Sequence, residues 1–256
     1  MLRFALLGSG SDGNGLLIEQ GSTRILIDCG FSVTETKRRL ERLGITPDLL
    51  TAILVTHEHA DHIQGVERLS RHYSIPVYTS QGTQHVMTSK WSRISCQTLR
   101  CTRPTQIGEL EIHPYTVPHD AREPLQYVIS NGKRRLGLLT DVGQSTPHIE
   151  AALSGCDALI LEANHDISRL AANTRYPASL KARIRSIYGH LDNDSACHLL
   201  SRLDVSNLQC LVAAHLSEDN NDPDLVRTLF SKTLGRDPDW MYIANQEDGF
   251  PWFQLH

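Results

Sequence analysis

Four apolar residues, Ala52-Ile53-Leu54-Val55, run directly into Thr56-His57-Glu58-His59-Ala60-Asp61-His62, so a stretch that reads as a buried strand ends in three imidazoles and two carboxylates. In extended backbone, residues two apart project the same way, which lets His57 and His59 reach one ion while Glu58 points off. Asp61 and His62 follow where the chain turns into a helix expected to begin near His62, and they can address a second point close by. Neutral imidazole with carboxylate is a ligand set for zinc, manganese or iron, not for calcium or magnesium.

Further ligands should come from other strand ends, and the sequence offers them. Tyr115-Thr116-Val117-Pro118-His119 and Leu211-Val212-Ala213-Ala214-His215 each end in a histidine, and Leu138-Leu139-Thr140-Asp141 ends in an aspartate. In each, apolar residues fix the backbone and the next side chain is freed toward a shared cleft. Ile25-Leu26-Ile27-Asp28 follows the same plan, with Asp28 expected to orient a ligand or a metal-bound water from behind. His72, His85, His113, His148, His198 and His256 lack such a setting.

Strands are expected over residues 2–7, 15–19, 24–28, 52–55, 77–79, 110–117, 125–130, 135–140, 158–163, 210–213 and 240–243. Helices are expected over 33–43, 62–72, 81–87, 149–153, 180–186, 194–203 and 223–234. Hairpin turns such as Asp12-Gly13-Asn14-Gly15 crowd the first half, and helix and strand alternate in the second, which indicates an α/β chain with mixed sheets. No linker divides it, so one domain over residues 1–256 is expected. The opening apolar run is too short for a signal core, and no stretch approaches the roughly 18 apolar residues of a membrane span. A cytoplasmic protein without membrane association is expected.

The six cysteines are scattered, with no C-x-x-C pair, and read as structural thiols. A net charge of −4 excludes a general polyanion binder, yet two stretches are basic without any acid. One carries Arg68, Arg71, Lys90, Arg93, Arg100 and Arg103; the other carries Arg169, Arg175, Lys181, Arg183 and Arg185.

The pattern His57-x-His59-x-Asp61-His62, preceded by Asp28 and followed in order by His119, Asp141 and His215, resembles the metallo-β-lactamase fold superfamily over nearly the whole chain. The resemblance implies a four-layer αββα sandwich, two mixed β-sheets flanked by helices, with two divalent transition-metal ions at the edge between the sheets. It further implies that His57, His59 and His119 hold one ion, that Asp61, His62 and His215 hold the other, and that Asp141 bridges them. "ALILEANHD" (158–166), "YGHLDNDSACHLL" (188–200) and "LVAAHLSEDNNDP" (211–223) resemble the nuclease and phosphodiesterase branch, nearest the YycJ/WalJ (VicX) type of DNA exonuclease. Aspartate at 192 departs from the serine more usual there and adds negative charge near a phosphate site.

Two cations about 3.5 to 4 Å apart would share a hydroxide and clamp both oxygens of a phosphoryl transfer. Asp61, His190 and Glu162 are the candidate catalytic residues. Asp61 doubles as a ligand, and the resemblance makes His190, oriented by Glu162, the group that protonates the leaving oxygen. Candidate substrate contacts are Ser11, Asn14, Asn164, His165, Arg175 and Lys181. For Gly8 to Gly15 a tight hairpin at the cleft is expected rather than a phosphate-cradling loop, since no Lys-Ser/Thr or helix follows. The expected activity is hydrolysis of nucleic acid, DNA before RNA, and 5′-to-3′ by resemblance. The alternative is a small-molecule hydrolase of the same fold, either a cyclic phosphodiesterase or a glyoxalase II-like thioesterase.

Overall fold

Strands that are apolar on both faces need cover on both sides, and the computed structural model, which describes residues 1–256, shows how this chain supplies it. The strands are β1 (Arg3–Gly8), β2 (Gly15–Gln20), β3 (Thr23–Ile27), β4 (Ala52–Leu54), β5 (Val77–Thr79), β6 (Cys96–Thr98), β7 (Thr105–Ile107), β8 (Leu110–Thr116), β9 (Leu125–Ser130), β10 (Arg135–Leu139), β11 (Ala158–Glu162), β12 (Cys210–Ala214), β13 (Tyr242–Ile243) and β14 (Phe250–Gln254). The helices are α1 (Val33–Arg42), α2 (Ala60–Ile63), α3 (Val66–Tyr73), α4 (Gln81–Met87), α5 (Pro147–Leu153), α6 (Ile167–Ala172), α7 (Ala178–Ile184), α8 (Asn193–Arg202) and α9 (Pro223–Leu234).

Two seven-stranded sheets form, ordered β14-β1-β2-β3-β4-β5-β6 and β13-β12-β11-β10-β9-β8-β7. Each begins with antiparallel hairpins and continues with parallel crossovers. The expected split between a hairpin-rich half and an alternating half is therefore corrected: parallel pairing starts already at β3–β4, and both halves follow one plan. Alternation along each strand fills three apolar layers. Ile25, Ile27, Leu54, Leu138, Ile160 and Val212 meet between the sheets. Leu26, Ile53 and Val55 turn outward beneath α1 and α3, and Leu159, Leu161 and Leu211 turn outward beneath α5, α8 and α9. Burial on both faces explains why these strands read as unbroken apolar runs. No helix is long and apolar enough to cross a membrane.

Other departures have local causes. The helix expected over 62–72 is broken into α2 and α3, because the carbonyls of Asp61 and His62 accept from the amides of Asn14 and Cys29 instead of from the next helical turn. Gly65 sits at the break, where a Cβ would lie 2.4 Å from the Phe31 carbonyl oxygen. β6 and β7 are short and largely exposed, so neither shows apolar alternation. β14 contains Pro251, which reads against a strand but is tolerated on a sheet edge, where an amide donor is not required. α6 was not expected, and only the end of the strand expected over 240–243 forms.

One cross-sheet contact bears directly on the ligand-rich turn. Tyr127 of β9 is fully buried, and its hydroxyl donates to the Val55 carbonyl at 2.6 Å, one residue before Thr56. Tyr127→Phe should lower the unfolding free energy by about 1 kcal/mol, the usual worth of one buried hydrogen bond, measured by denaturant titration. An unchanged midpoint would show that the contact bears no load.

Candidate metal centre

The carboxyl ends of β3, β4, β8, β10, β11 and β12 meet where the two sheets open, and every sequence-predicted ligand lies there. Asp28, Asp141 and His215 leave their strands on left-handed backbone, with φ of 61°, 53° and 56°. Such a conformation costs an ordinary L-residue about 1–2 kcal/mol, and Asp tolerates it better than most. Gly30 permits the close packing beside them, since a Cβ there would fall 1.7 Å from the Asp61 carbonyl oxygen.

Asp28 organises the first half of the centre. Its carboxylate accepts from the Thr56 amide, the Thr56 hydroxyl and His62 Nδ1, each at 2.8 Å. A hydroxyl has one hydrogen; Thr56 spends it on Asp28 and therefore accepts from His57 Nδ1 at 3.0 Å. His57 and His62 thus both carry the Nδ1 proton and present Nε2 lone pairs. His119 Nδ1 donates to the Gly189 carbonyl at 3.1 Å, which leaves its Nε2 3.4 Å from His59 Nδ1, while His59 Nε2 donates to the Asp120 carbonyl.

Glu162 organises the second half. The fully buried carboxylate accepts from His215 Nδ1 and His190 Nδ1 at 2.9 Å and from the amides of Asp141, Val142 and Leu191. Five donors exhaust its acceptor capacity, so Glu162 orients ligands and is not one itself, although it lies in a potential ligand group with Asp141, His190 and His215.

The ring atoms left over converge. His57, His59 and His119 form one group whose ligand atoms lie within 4.8 Å of one another, and Asp61, His62 and His215 form another. Asp141 lies between, with Oδ2 3.3 Å from His62 Nε2 and Oδ1 3.6 Å from His215 Nε2. His57 Nε2, Asp141 Oδ2 and His215 Nε2 are buried with no hydrogen-bond partner. Buried polar atoms left so are costly, and three of them within the two adjoining ligand groups fit divalent cations. Charge points the same way. Burial opposes a proton on His215, but Asp141, Asp61 and Glu162 outweigh it and push the imidazole up to about 10. Burial likewise opposes a charge on His62, and Asp141 and Asp28 overcome it. His57, buried among other imidazoles, is held well below the ordinary range and stays neutral. The carboxylates of the centre demand positive charge, and the neutral rings can coordinate it.

Above these atoms lies a cleft of about 250 Å³, lined among others by Ser11, Asp120, Asn164, Arg183 and His190. His190 faces it with its side chain 22% exposed, the only centre histidine besides His59 that solvent reaches appreciably. Burial works against its charge, and Glu162 more than compensates, raising it above the usual imidazole value.

Of the expected substrate contacts, Ser11 and Asn164 line the cleft. Asn14 and His165 do not. Asn14 is buried and bonded to Gly10 and Asp61, and His165, 1% exposed, bonds Asn164. Arg175 is paired with Asp219, and Lys181 donates to the Ala171 carbonyl, so both are engaged outside the cleft. The Gly8 to Gly15 segment is the expected hairpin; the amides of Ser9, Gly10, Asp12, Gly13 and Asn14 are all donated within the protein and cradle nothing. Asp192 caps α8, bonding the Ser195 amide and hydroxyl at 2.8 Å, so its charge serves a helix end instead of burdening the cleft. Among the charged cleft residues Asp120, next to His119, escaped the sequence reading; Arg183, whose Nε donates to Asp120 Oδ2 at 2.6 Å, was expected to contact nucleic acid only together with Arg175, Lys181 and Arg185. Arg183 stood in the basic stretch, but nothing in spacing set it apart from its neighbours. Burial opposes charge on Asp120, and Arg183 holds its carboxyl below the usual range nonetheless.

Comparisons with known proteins agree with this geometry. The sequence model of the β-lactamase superfamily domain matches residues 23–212. The exodeoxyribonuclease YycJ of Bacillus anthracis is 34% identical over 236 residues, covering 91% of this chain and 89% of that protein. The exodeoxyribonuclease WalJ of Streptococcus pneumoniae is 31% identical over 239 residues, covering 91% and 88%. Among solved structures, the metallo-β-lactamase fold protein YhfI of Bacillus subtilis superposes with a TM-score of 0.77 at 16% identity, covering 99% and 100%. Zn²⁺-bound PqqB of Methylobacterium extorquens superposes at 0.75 and 15%, with the same coverage. The chain belongs to the β-lactamase superfamily, as a hydrolase of the metallo-β-lactamase fold related along nearly its whole length to the YycJ/WalJ proteins.

Proposed function

We propose that the protein is a dinuclear metal-dependent phosphodiesterase that removes nucleotides from DNA ends in the 5′-to-3′ direction. The observation that carries this reading is the His190–Glu162 pair at 2.9 Å, on the wall of the cleft beside both ligand groups. A thiolate leaves a thioester without help from a proton, whereas departure of an alkoxide from a phosphodiester is assisted by an imidazole that can donate one at the cleft wall. The full-length likeness to proteins named exodeoxyribonucleases supports DNA as the substrate.

His57, His59 and His119 would hold one divalent cation and Asp61, His62 and His215 the other, with Asp141 between them; zinc, manganese and iron suit these donors. Cations held there would lower the pKa of a water toward neutrality and offset the phosphodiester charge. The chain's own residues do the rest. Glu162 keeps the proton on His190 Nδ1 and leaves Nε2 to the cleft, where it donates to the leaving oxygen. Arg183, fixed by Asp120, offers its remaining guanidinium donors to the phosphate, a part that Arg175 and Lys181, turned to Asp219 and the Ala171 carbonyl, do not play. Asn164, whose amide nitrogen donates to the His215 carbonyl, steadies the second ligand group from the cleft side.

Incubation of metal-loaded protein with end-labelled duplex and single-stranded DNA, RNA, a chromogenic phosphodiester and a thioester tests the class, and release of mononucleotides first from the 5′ end is expected. Thioester turnover with intact DNA would overturn it. His190→Gln should lower kcat on DNA by about 10²–10⁴, and far less on a p-nitrophenyl phosphodiester, whose leaving group departs without a proton. Equal losses on both would reassign His190 to phosphate binding. Asp141→Ala should lose turnover together with bound metal, read by elemental analysis, while circular dichroism stays native; a variant that keeps two metals per chain would remove Asp141 from between them.

A further inference from the structure

The two acid-free basic stretches meet different fates in the fold. In the second, Arg169 pairs with Asp222, Arg175 with Asp219 and Arg183 with Asp120, Lys181 donates to the Ala171 carbonyl, and only Arg185 has no partner. In the first, Arg68, Lys90 and Arg93 are exposed and make no ion pair or hydrogen bond with the protein, and only Arg71 meets a carboxylate, Glu67, at 3.3 Å. These four cations line a groove of about 960 Å³ that shares Ser11 and Asp61 with the metal cleft. Beyond it a second depression of about 590 Å³ shares Arg68 and Arg71 and adds Lys37.

Four carboxylates share the groove. Glu58 is turned to the Thr83 hydroxyl and the Arg122 amide, Glu67 faces Arg71, Asp61 would be neutralised by a cation at the centre, and Asp12 is free. The loop bearing Lys90 and Arg93 is pinned by Trp91, 5% exposed and packed with Met87 into the apolar layer under the first sheet. A small phosphodiester would be held within the 250 Å³ cleft and has no use for a connected run of depressions in which Arg68, Lys90 and Arg93 make no direct ion pair. A polyanion with regularly spaced phosphates has such a use.

We propose that this groove, through Arg68, Lys90, Arg93 and Arg71, carries the backbone of the DNA strand that continues beyond the scissile phosphodiester. The inference rests on the DNA reading above and adds where the uncut strand lies. It also moves the strand contacts from Arg175, which is paired with Asp219, and Lys181, which donates to the Ala171 carbonyl, to the groove that adjoins the metal cleft at Ser11 and Asp61.

The test is fluorescence anisotropy of a labelled, phosphorothioate-linked single strand, which resists cleavage, with metal-loaded protein over a range of salt. Three exposed side chains change in the variant Arg68→Ala/Lys90→Ala/Arg93→Ala, and a charge-matched reference is Lys133→Ala/Arg169→Ala/Arg202→Ala. Each lost phosphate contact removes about 0.7 from the slope of log K against log salt, so the groove variant should bind about 100-fold more weakly near 0.1 M salt, with a slope smaller by about 2. Arg68→Ala alone should lose about five-fold on the same arithmetic. The reference should bind as the parent does, and all should melt alike. Parental affinity and slope in both groove variants would overturn the groove while leaving the DNA reading intact. A parent protein that hydrolyses a chromogenic phosphodiester yet binds no DNA would overturn both.

Discussion

Two buried carboxylates, Asp28 at 4% exposure and Glu162 at 0%, hold the centre from beneath, one in each half of the fold. Asp28 fixes His62 directly and His57 through Thr56; Glu162 fixes His215 and His190 directly. Neither faces the cleft. Their common effect is to place a proton on Nδ1 of His57, His62, His190 and His215, so that the opposite ring nitrogen is the one turned to the ligand groups or the cleft. Burial alone would neutralise carboxylates so placed, because desolvation penalises the charged form. Glu162 is instead held down at about 2 by the imidazoles and amides around it. Removing either acid would leave its imidazoles free to rotate and to change tautomer, which makes these two side chains the members on which the ligand geometry depends.

The architecture explains why acids can be kept there. Each sits at the carboxyl end of a strand in the middle of its sheet, where neighbouring strand ends supply amide donors that no ladder partner claims: Thr56 for Asp28, and Asp141, Val142 and Leu191 for Glu162. The left-handed backbone at Asp28, Asp141 and His215 belongs to the same design. A strand that simply continued would aim its next residue into one of the apolar layers. A single turn of φ to positive values aims it along the sheet edge instead, and the hydrogen bonds made there offset the local cost.

That design accounts for what could be read in advance. Apolar runs followed by His or Asp located the strands, their ends and their common edge, because the alternation of two buried faces is a local property of sequence. The pairing of Glu162 with His190 was accessible only through resemblance, and its bonds to His215 and to three amides were not visible at all, since they join residues up to 53 positions apart. Positive φ at non-glycine residues leaves no compositional trace. The broken helix at Gly65 failed for a related reason: the periodicity of 62–72 is helical, but the carbonyls needed for the first turn bond Asn14 and Cys29, which lie far upstream.

Charge was the property least legible along the chain. Two stretches look equally basic in one dimension, and Arg175 and Lys181 drew attention because they precede His190. Their distinction is made by acids remote in sequence, Asp219 and Asp222 for Arg175 and Arg169, and Asp120 for Arg183. An ion pair at the surface contributes little to stability, but it does cancel the far field of its cation, and only cations left uncancelled attract a polyanion over distance. The basic stretch that matters for a charged polymer is thus the one the fold leaves alone, and it is the arrangement of carboxylates, not of arginines, that decides which one that is.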